Sequence, residues 1–226
     1  MSLPRPNVPC PLCKTENGRF FYHDNSKRNR QGAGVDYYQC SNCQLVFLLP
    51  HQFLSPDAEK AVYDLHENSP DDPHYRRFLN RLCAPMLSRL SPQSDGLDFG
   101  SGPGPTLSLM FAEAGHSITI YDPFYAPNPQ ALTQQYDSIT ATEVVEHLHR
   151  PRHELAQLWS CLRPNGLLGI MTKRVMSQAA FANWHYKNDP THVCFFALET
   201  FEWLADHWGA SLEILDKDIV LLTKKG

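Results

Sequence analysis

The sequence predicts an α/β protein in which a small cysteine-rich module precedes a larger domain built on a parallel sheet. Three observations predict this fold class. A strand, a glycine-rich loop, a helix and a second strand follow one another over residues 95–122, strand and helix patterns then alternate to the C-terminus, and two cysteine pairs lie within residues 10–43. Alternating strands and helices are typical of parallel sheets covered by helices. The 226 residues are enough for one such domain and a small module.

The glycine-rich loop lies at the centre of the larger domain. An apolar strand that ends at Phe99 continues into Gly100, Gly102 and Gly104, and the helix and strand that follow end at Asp122. This order of elements is the first half of a nucleotide-binding α/β domain. Asp122 is expected at the carboxyl end of a strand, where a carboxylate can accept both hydroxyls of a ribose.

The prolines of this loop indicate which ligand it suits. A dinucleotide-binding loop needs free backbone amides at the helix start to hold a pyrophosphate. Pro103 and Pro105 remove two such donors, because proline has no N–H group. Asp98, just before the loop, would repel a phosphate and attract an ammonium group. A nucleoside that carries an amino acid instead of phosphates fits these features, and S-adenosylmethionine is such a ligand.

The run from Asp98 to Gly104 resembles the first motif of class I S-adenosylmethionine-dependent methyltransferases, and Asp122 matches their ribose-binding acid. The resemblance extends from about residue 94 to the C-terminus. It implies a Rossmann-like sheet with an antiparallel last strand and transfer of the cofactor's methyl group to a nucleophile. A glycine-rich turn in another kind of α/β protein is the alternative. The expected cofactor-binding residues are Asp98, Gly100, Ser101, Gly102, Gly104, Asp122, Pro123 and Glu143.

The chain departs from this family after Asp122. Only the 14 residues 123–136 separate it from the next strand pattern, and they are rich in proline and glutamine. The usual helix, third strand and adenine-binding acid do not fit in so short a segment. We therefore expect a sheet that is shortened at this edge, and we assign no residue to the adenine.

Four cysteines predict a zinc ribbon over residues 1–49. Cys10 and Cys13 form one C-x-x-C pair, Cys40 and Cys43 form another, and 26 residues (14–39) lie between them. Four thiolates can close a tetrahedral structural zinc site, and a hairpin would span the gap. A module of this size would depend on the metal, because its own core is too small. Two unrelated cysteine pairs are one alternative, and His23 as a substitute zinc ligand is another.

Charge and localisation signals limit the partners. The net charge of −4 argues against a general nucleic-acid binder, although Lys27, Arg28 and Arg30 lie near the expected hairpin tip and could contact RNA. The sequence has neither the apolar stretch of an export signal nor that of a membrane span, so we expect a cytoplasmic protein without membrane contact. The ribbon could otherwise hold a partner protein or cover the active site. The oligomeric state is not predicted.

Residues 50–94 predict a helical cap or connector, and the methyltransferase domain then covers residues 95–226. In the related enzymes this helical region covers the cofactor. Tyr63, His66 and Tyr75 are therefore candidates for contact with the cofactor, with core packing as the alternative.

The long connection at residues 173–196 predicts a substrate lid, because it follows a strand on the side of the sheet where ligands bind. It contains a dense run of aromatic and hydrogen-bonding side chains at residues 184–192, and an irregular loop is the alternative. We expect the catalytic groups among His192, His185 and His147.

A divalent metal site is a further hypothesis. A helix that begins at Glu143 would place Glu143, Glu146 and His147 on one face, and His192 could add a fourth ligand. This pattern resembles the metal site of ubiquinone-biosynthesis O-methyltransferases and of small-RNA 3′-terminal 2′-O-methyltransferases, which implies Mg²⁺ or Mn²⁺ bound to the acceptor hydroxyl. The alternative is a structural element that many class I methyltransferases share.

Together these patterns predict a methyltransferase that acts on the oxygen of a small hydroxylated acceptor. Two alternatives stay open at this point. One is an RNA methyltransferase that uses the ribbon to contact RNA, and the other is a non-catalytic module that binds the cofactor and recruits a partner.

Overall fold

The computed structural model describes residues 7–25, 34–65 and 68–226, so that Lys27, Arg28, Arg30 and His66 lie outside the described residues. The N-terminal part is called the cysteine module here (residues 1–49), and its described residues contain three strands. They are β1 (Gly18–Asp24), β2 (Val35–Cys40) and β3 (Val46–Phe47). β2 pairs antiparallel with both β1 and β3, so the hairpin predicted between the two cysteine pairs is present.

Residues 50–94 are largely helical, as predicted. A 3₁₀ turn (Pro50–Gln52) precedes α1 (Pro56–Tyr63) and α2 (Pro73–Leu87). Ser55 caps α1, because its side chain accepts a hydrogen bond from the N–H of Ala58 (3.4 Å). Proline at the first position of both helices costs no hydrogen bond there.

The larger sheet begins with four parallel strands. They are β4 (Asp95–Phe99), β5 (Ser117–Tyr121), β6 (Tyr136–Thr142) and β7 (Leu162–Met171). The connections between them contain α3 (Thr106–Glu113), 3₁₀ turns at Pro129–Thr133 and Val145–His147, and α4 (Pro151–Ser160). β7 contains residues 163–166, among which Asn165 adopts a φ of +63°.

The C-terminal part completes the sheet with an antiparallel pair. Its elements are α5 (Gln178–Ala182), a 3₁₀ turn (His185–Asn188), β8 (Cys194–Phe195), α6 (Leu198–Trp208), β9 (Ser211–Asp216) and β10 (Ile219–Thr223). The strand order is β5-β4-β6-β7-β10-β9, and β10 is antiparallel to β7. The predicted Rossmann-like sheet with its antiparallel end is therefore confirmed. β5 is an edge strand, so the sheet is shortened at the predicted edge.

The cysteine module shares a sheet and a core with the larger domain. β8 pairs antiparallel with β3, which gives a four-stranded sheet of order β1-β2-β3-β8. One continuous core of buried side chains extends from Leu12 in the module to Leu222 in β10. A second core packs α2 and α3 against the other face of the large sheet. The predicted domain boundaries stay predictions, but packing continues across residue 49.

Within the described ranges, no helix has both the length and the apolar character that crossing a lipid bilayer requires.

Candidate active site

A cavity of about 1150 Å³ opens where the parallel strands end. Gly100 follows β4, Asp122 follows β5, Glu143 follows β6 and Lys173 lies just beyond β7, and all four residues line the cavity. Ligands of open α/β sheets bind at this edge, because the loops that leave the strands gather there. The cavity is therefore the candidate active site.

The backbone amides of the glycine-rich loop are used inside the protein. The N–H groups of Gly100 and Ser101 donate to the carbonyl oxygen of Tyr121 (2.7 and 3.2 Å), and that of Gly102 donates to Asp122 Oδ2 (3.0 Å). Gly102 has a φ of +64°, which glycine adopts without strain. Because these amides are engaged, the loop is poorly equipped for a pyrophosphate, as its prolines predict.

Asp122 is buried at the end of β5 and accepts hydrogen bonds on both oxygens. Its Oδ1 accepts from the N–H groups of Phe124 (2.8 Å) and Tyr125 (3.0 Å), and its Oδ2 accepts from Gly102. This network fixes the carboxylate in the cavity wall, beside Pro123. A carboxylate can accept about four hydrogen bonds, so Asp122 can accept a further one from a ligand hydroxyl.

The helical segment covers the loop. The Tyr125 hydroxyl donates to Asp64 Oδ1 (2.6 Å), and Lys60 Nζ lies 2.8 Å from the same carboxylate. Asn68 packs so closely that a Cβ on Gly104 would lie 1.8 Å from its carbonyl oxygen, which explains the glycine at that position. The helical segment thus packs against both loops, and its contact with a cofactor stays a prediction.

Asp98 is not among the residues that line the cavity. Its buried carboxylate accepts a hydrogen bond from the Thr140 hydroxyl (2.8 Å) beneath the loop. Burial raises the pKa of Asp98 to about 6, and the charge of Asp122 acts in the same direction. Its direct contact with an amino group of a ligand stays a prediction.

Three residues that line the cavity have a buried side-chain oxygen without a hydrogen-bond partner in the described part of the protein. They are Ser101 (Oγ), Thr142 (Oγ1) and Glu143 (Oε1). Such atoms are costly when nothing satisfies them. Their position around one cavity indicates a ligand with polar groups. Burial also raises the pKa of Glu143.

The predicted helix beginning at Glu143 is wrong. Glu143 has a φ of +52°, and the chain forms only the 3₁₀ turn Val145–His147. The helical spacing therefore does not place Glu143 on one face with Glu146 and His147. The Tyr186 hydroxyl instead contacts both carboxylates, at 3.2 Å from Glu143 Oε2 and in a hydrogen bond with Glu146 Oε1.

Glu146, His147 and His192 nevertheless come together. One ligand atom of each lies within 4.8 Å of the others, and the two imidazole rings are 4.7 Å apart. Glu143 is not a member of this group. Burial, reinforced by the charge of Glu143, raises the pKa of Glu146 to about 8. Its Oε2 has no hydrogen-bond partner among the described residues.

His192 is held in one tautomer. Its Nδ1 lies 2.7 Å from the carbonyl oxygen of Tyr186, and a carbonyl can only accept, so Nδ1 carries the proton and Nε2 of the neutral ring carries the lone pair. Asp189 Oδ2 lies 3.9 Å from Nε2. Burial opposes ionisation of Asp189, but hydrogen bonds from Thr191 and the nearby His192 lower its pKa. An oriented imidazole beside a carboxylate can accept a proton.

His185 lies apart from the other two candidate histidines. It is exposed on the cavity wall, and its Nε2 is 3.0 Å from Lys173 Nζ.

One wall of the cavity was not predicted from the sequence. Glu59 on α1 is buried, accepts a hydrogen bond from the Tyr63 hydroxyl (2.7 Å) and lies 3.6 Å from His149 Nε2. Tyr63, in turn, packs edge-on against His147. A glutamate in a helix usually faces solvent, so no sequence signal marked Glu59.

The four cysteines of the module form a compact cluster. Cys10 Sγ lies 3.6 Å from Cys43 Sγ, Cys13 Sγ lies 3.4 Å from Cys40 Sγ, and all four atoms are within 4.8 Å of one another. Sulfur atoms bound to one zinc at about 2.3 Å in a tetrahedron are separated by roughly 3.8 Å. The cluster therefore has the dimensions of a metal site.

The two C-x-x-C turns have the same backbone geometry. The residues that follow them, Lys14 and Gln44, have φ values of +65° and +57°. Each donates its N–H to the carbonyl oxygen of the first cysteine of its turn, at 3.1 and 2.9 Å. The two halves of the cluster are thus built alike.

Residues 74–213, more than half of the chain, match the family model described as a methyltransferase domain. The chain belongs to this family. The predicted enzyme class, an S-adenosylmethionine-dependent methyltransferase with a class I fold, is therefore confirmed. No curated protein matches the sequence.

Solved structures of methyltransferases are similar in fold. A 1,6-didemethyltoxoflavin N1-methyltransferase from Burkholderia thailandensis, with its bound substrate and S-adenosylhomocysteine, has a TM-score of 0.51 at 16% identity, covering 82% of this chain and 98% of that one. An S-adenosylmethionine-dependent methyltransferase from Archaeoglobus fulgidus has a TM-score of 0.47 at 18% identity, covering 61% of this chain and 70% of that one. An O-methyltransferase family protein from Burkholderia thailandensis has a TM-score of 0.47 at 10% identity, covering 75% of this chain and 60% of that one.

Proposed function

We propose that the protein transfers the methyl group of S-adenosylmethionine to a hydroxyl oxygen of a small molecule. The observation that carries this proposal is a single cavity lined both by the glycine-rich loop with Asp122 and by the pair His147 and His192. One group of residues suits a nucleoside, and the other suits a group that must lose a proton.

The residues around the loop fit the cofactor. Asp122 would accept a hydrogen bond from one ribose hydroxyl beside Pro123, at the acceptor position that its contacts within the protein leave open. The unpartnered oxygens of Ser101, Thr142 and Glu143 would bind the methionyl part, in which the ammonium group supplies donors. Asp98, whose carboxylate accepts a hydrogen bond from Thr140, would attract the ammonium group.

His192 would remove the proton of the acceptor hydroxyl. Methyl transfer is an in-line displacement at the sulfonium, so the protein must mainly align the acceptor and accept its proton. The Tyr186 carbonyl fixes the proton of His192 on Nδ1, which leaves Nε2 as the base. Asp189 would then stabilise the imidazolium that forms.

The charge of the cavity supports a small, uncharged acceptor over RNA. Its lining contains five carboxylate side chains and two cationic ones. These are Glu59, Asp122, Glu143, Glu154 and Asp189, against Arg150 and Lys173. A negative lining repels a polyphosphate chain. A non-catalytic role would leave the oriented His192 without a use.

The cysteine cluster fits one structural zinc ion. Its thiolate set and its spacing are those of a closed four-cysteine site, which would stabilise the module.

A divalent cation at Glu146, His147 and His192 is the second candidate for activating the acceptor. The unpartnered Glu146 Oε2 and the two imidazoles are donors that suit Mg²⁺ or Mn²⁺ only in part, since both ions prefer oxygen ligands. Such an ion, when bound, would lower the pKa of a hydroxyl that it coordinates.

Extracts incubated with the protein and a cofactor labelled in its methyl group test the proposal. We expect label in an alkali-stable small molecule, unchanged by ribonuclease, and loss of this product with His192→Gln. Label that disappears after ribonuclease would favour the RNA alternative. Binding of S-adenosylhomocysteine without any labelled product would favour the non-catalytic one.

Chelator and metal analysis separate the two metal sites. Elemental analysis is expected to find one zinc per chain that stays bound during brief exposure to EDTA. Full activity in EDTA would mean that His192 removes the acceptor's proton without a divalent cation. Activity that is lost in EDTA and returns with Mg²⁺ or Mn²⁺ would favour a cation at Glu146, His147 and His192.

A further inference from the structure

Lys187 is a charged side chain buried between the cysteine module and the cavity. Only 9% of Lys187 is exposed, and its ammonium group pairs with Asp24 at the end of β1, which is 7% exposed. Lys187 Nζ also lies 5.6 Å from the ring centre of Tyr22. Its backbone carbonyl accepts a hydrogen bond from the Tyr37 hydroxyl (3.3 Å). The module therefore binds Lys187 by both its side chain and its backbone.

The residue before Lys187 contacts the reacting groups. The Tyr186 hydroxyl contacts Glu146 and Glu143, and its carbonyl oxygen accepts from His192 Nδ1. That carbonyl belongs to the peptide plane shared by Tyr186 and Lys187. Because a peptide unit is rigid, anchoring Lys187 restricts the orientation of the group that selects the His192 tautomer.

The segment after His192 is anchored to the module as well. The Leu48 N–H donates to the Val193 carbonyl (3.0 Å), and the Val193 N–H donates to the Glu146 carbonyl (2.8 Å). β8 then pairs with β3. His192 is therefore held from both sides by segments that the cysteine module fixes.

A buried ion pair is an expensive way to join two segments. Its desolvation penalty can exceed the attraction between the charges, so apolar residues of similar volume are often as stabilising. A buried pair does, however, allow few alternative arrangements, because each charge accepts only its partner. The Asp24–Lys187 pair is thus better suited to fixing a position than to adding stability.

We infer that Lys187 and Asp24 are positioning residues that connect the cysteine module to His192. The partner of the module is then the active-site segment of the same chain. The inference rests on the proposed function only in taking His192 as the base. The contacts that it concerns are present whatever the acceptor is.

The test uses the full-length protein and compares Lys187→Met and Asp24→Asn with the control Arg163→Met. Arg163 also forms ion pairs, with Asp137 and Asp95, but these lie within the large sheet and do not involve the module. The readouts are the ¹⁵N signals of the His192 ring at fixed pH, assigned with His192→Gln, and hydrogen exchange of residues 185–196.

In both Lys187→Met and Asp24→Asn, we expect the His192 ring to lose its preference for the Nδ1–H tautomer. The backbone amides of residues 185–196 should exchange their hydrogens at least about tenfold faster than in the wild type. Arg163→Met should change neither readout. Lys187→Arg, which keeps the positive charge, should keep the Nδ1–H tautomer of His192. Affinity for S-adenosylhomocysteine should change less than about threefold, because the glycine-rich loop does not contact the pair.

An unchanged tautomer in folded Lys187→Met would overturn the inference, and so would an equal change in Arg163→Met. If Lys187→Met does not fold, Tyr37→Phe removes only the hydrogen bond to the Lys187 carbonyl, and it should shift the tautomer in the same direction. Because the tautomer is measured without any acceptor, failure of the proposed methyl transfer would be seen separately, as absence of labelled product.

Discussion

The two halves of the cavity are built in different ways. The half proposed to bind the cofactor, called the cofactor half, consists of the loop after β4 and the turn after β5, which lie next to each other in the sheet and are joined by Gly102 and Asp122. The half proposed to bind the acceptor, called the acceptor half, combines α1, the 3₁₀ turn Val145–His147 and the segment 185–192, which are far apart in sequence. It also depends on the cysteine module, which pairs with the last of these segments through β8.

This difference predicts which half of the cavity depends on the cysteine module. The cofactor half is supported by β4, by the edge strand β5 and by hydrogen bonds within its own loops. The acceptor half is supported from outside the sheet, by a module whose integrity would depend on four cysteines. Damage to the module should therefore affect the acceptor half first, and the following changes test that expectation.

The largest effect is expected for Cys40→Ser. Removing one of four ligands opens a structural metal site, and a small module loses much of its folding free energy with the metal. We expect no bound zinc, a loss of methyl transfer of about 100-fold or more, and fast hydrogen exchange in residues 7–49 and 185–196. A variant that keeps full protection in residues 185–196 would contradict the dependence of the acceptor half on the module. Cys161→Ser, which changes a thiol outside the cluster, is the control.

Phe181 and Phe111 compare the two cores directly. Both are 1% exposed, but Phe181 packs against Phe21, Tyr37 and Phe195, while Phe111 packs in the core formed with α2. Either change to alanine should lower the free energy of unfolding by about 3–5 kcal/mol. Only Phe181→Ala should also speed hydrogen exchange in residues 185–196 of the folded protein. Equally fast hydrogen exchange of residues 185–196 in Phe181→Ala and Phe111→Ala would contradict the expectation that the two halves are supported separately.

Asp98→Asn should change the pH dependence of stability by up to about 3 kcal/mol. Burial raises the pKa of Asp98 from 3.8 to about 6, so the folded protein binds this proton more tightly than the unfolded chain does. The wild-type protein therefore loses stability as the pH rises from about 4 to about 6, and asparagine does not. Denaturant unfolding at several pH values should give a difference between variant and wild type that grows over this range and is constant above it. A difference that is independent of pH would contradict the raised pKa.

The smallest change is expected for Asp122→Ala, measured as affinity for S-adenosylhomocysteine. Loss of the acceptor for a ribose hydroxyl should weaken binding about tenfold to thirtyfold, or roughly 1.4–2 kcal/mol. Asp122→Asn, which keeps one oxygen, should lie between the alanine variant and the wild type. Hydrogen exchange in residues 185–196 should not change, because these contacts belong to the cofactor half. Unaltered affinity in calorimetry would exclude Asp122 as the ribose ligand.

Local sequence determined the cofactor half and the sheet. The loop from Gly100 to Gly104, the acid at Asp122 and the short segment after it predict a strand–turn–helix–strand unit and a shortened edge, and the structure has both. Binding of a nucleoside at this turn stays a prediction. These features were predictable because each depends on residues close together in the chain: glycines for left-handed φ values, prolines that lack a donor, and a strand that ends at a carboxylate. The spacing of the cysteine pairs predicted the hairpin for the same reason.

The tertiary structure alone decided the acceptor half. The spacing of Glu143, Glu146 and His147 suggested a helix, but the positive φ of Glu143 turns the chain, and it is the packing of residues 185–193 that brings His192 to Glu146 and His147. Nothing in the sequence predicted that Lys187 would be buried against Asp24 or that β8 would complete the sheet of the cysteine module. Such contacts join residues more than 140 positions apart, as Asp24 and Lys187 are. Their formation depends on which surfaces meet when the whole chain packs, and no local pattern encodes that outcome.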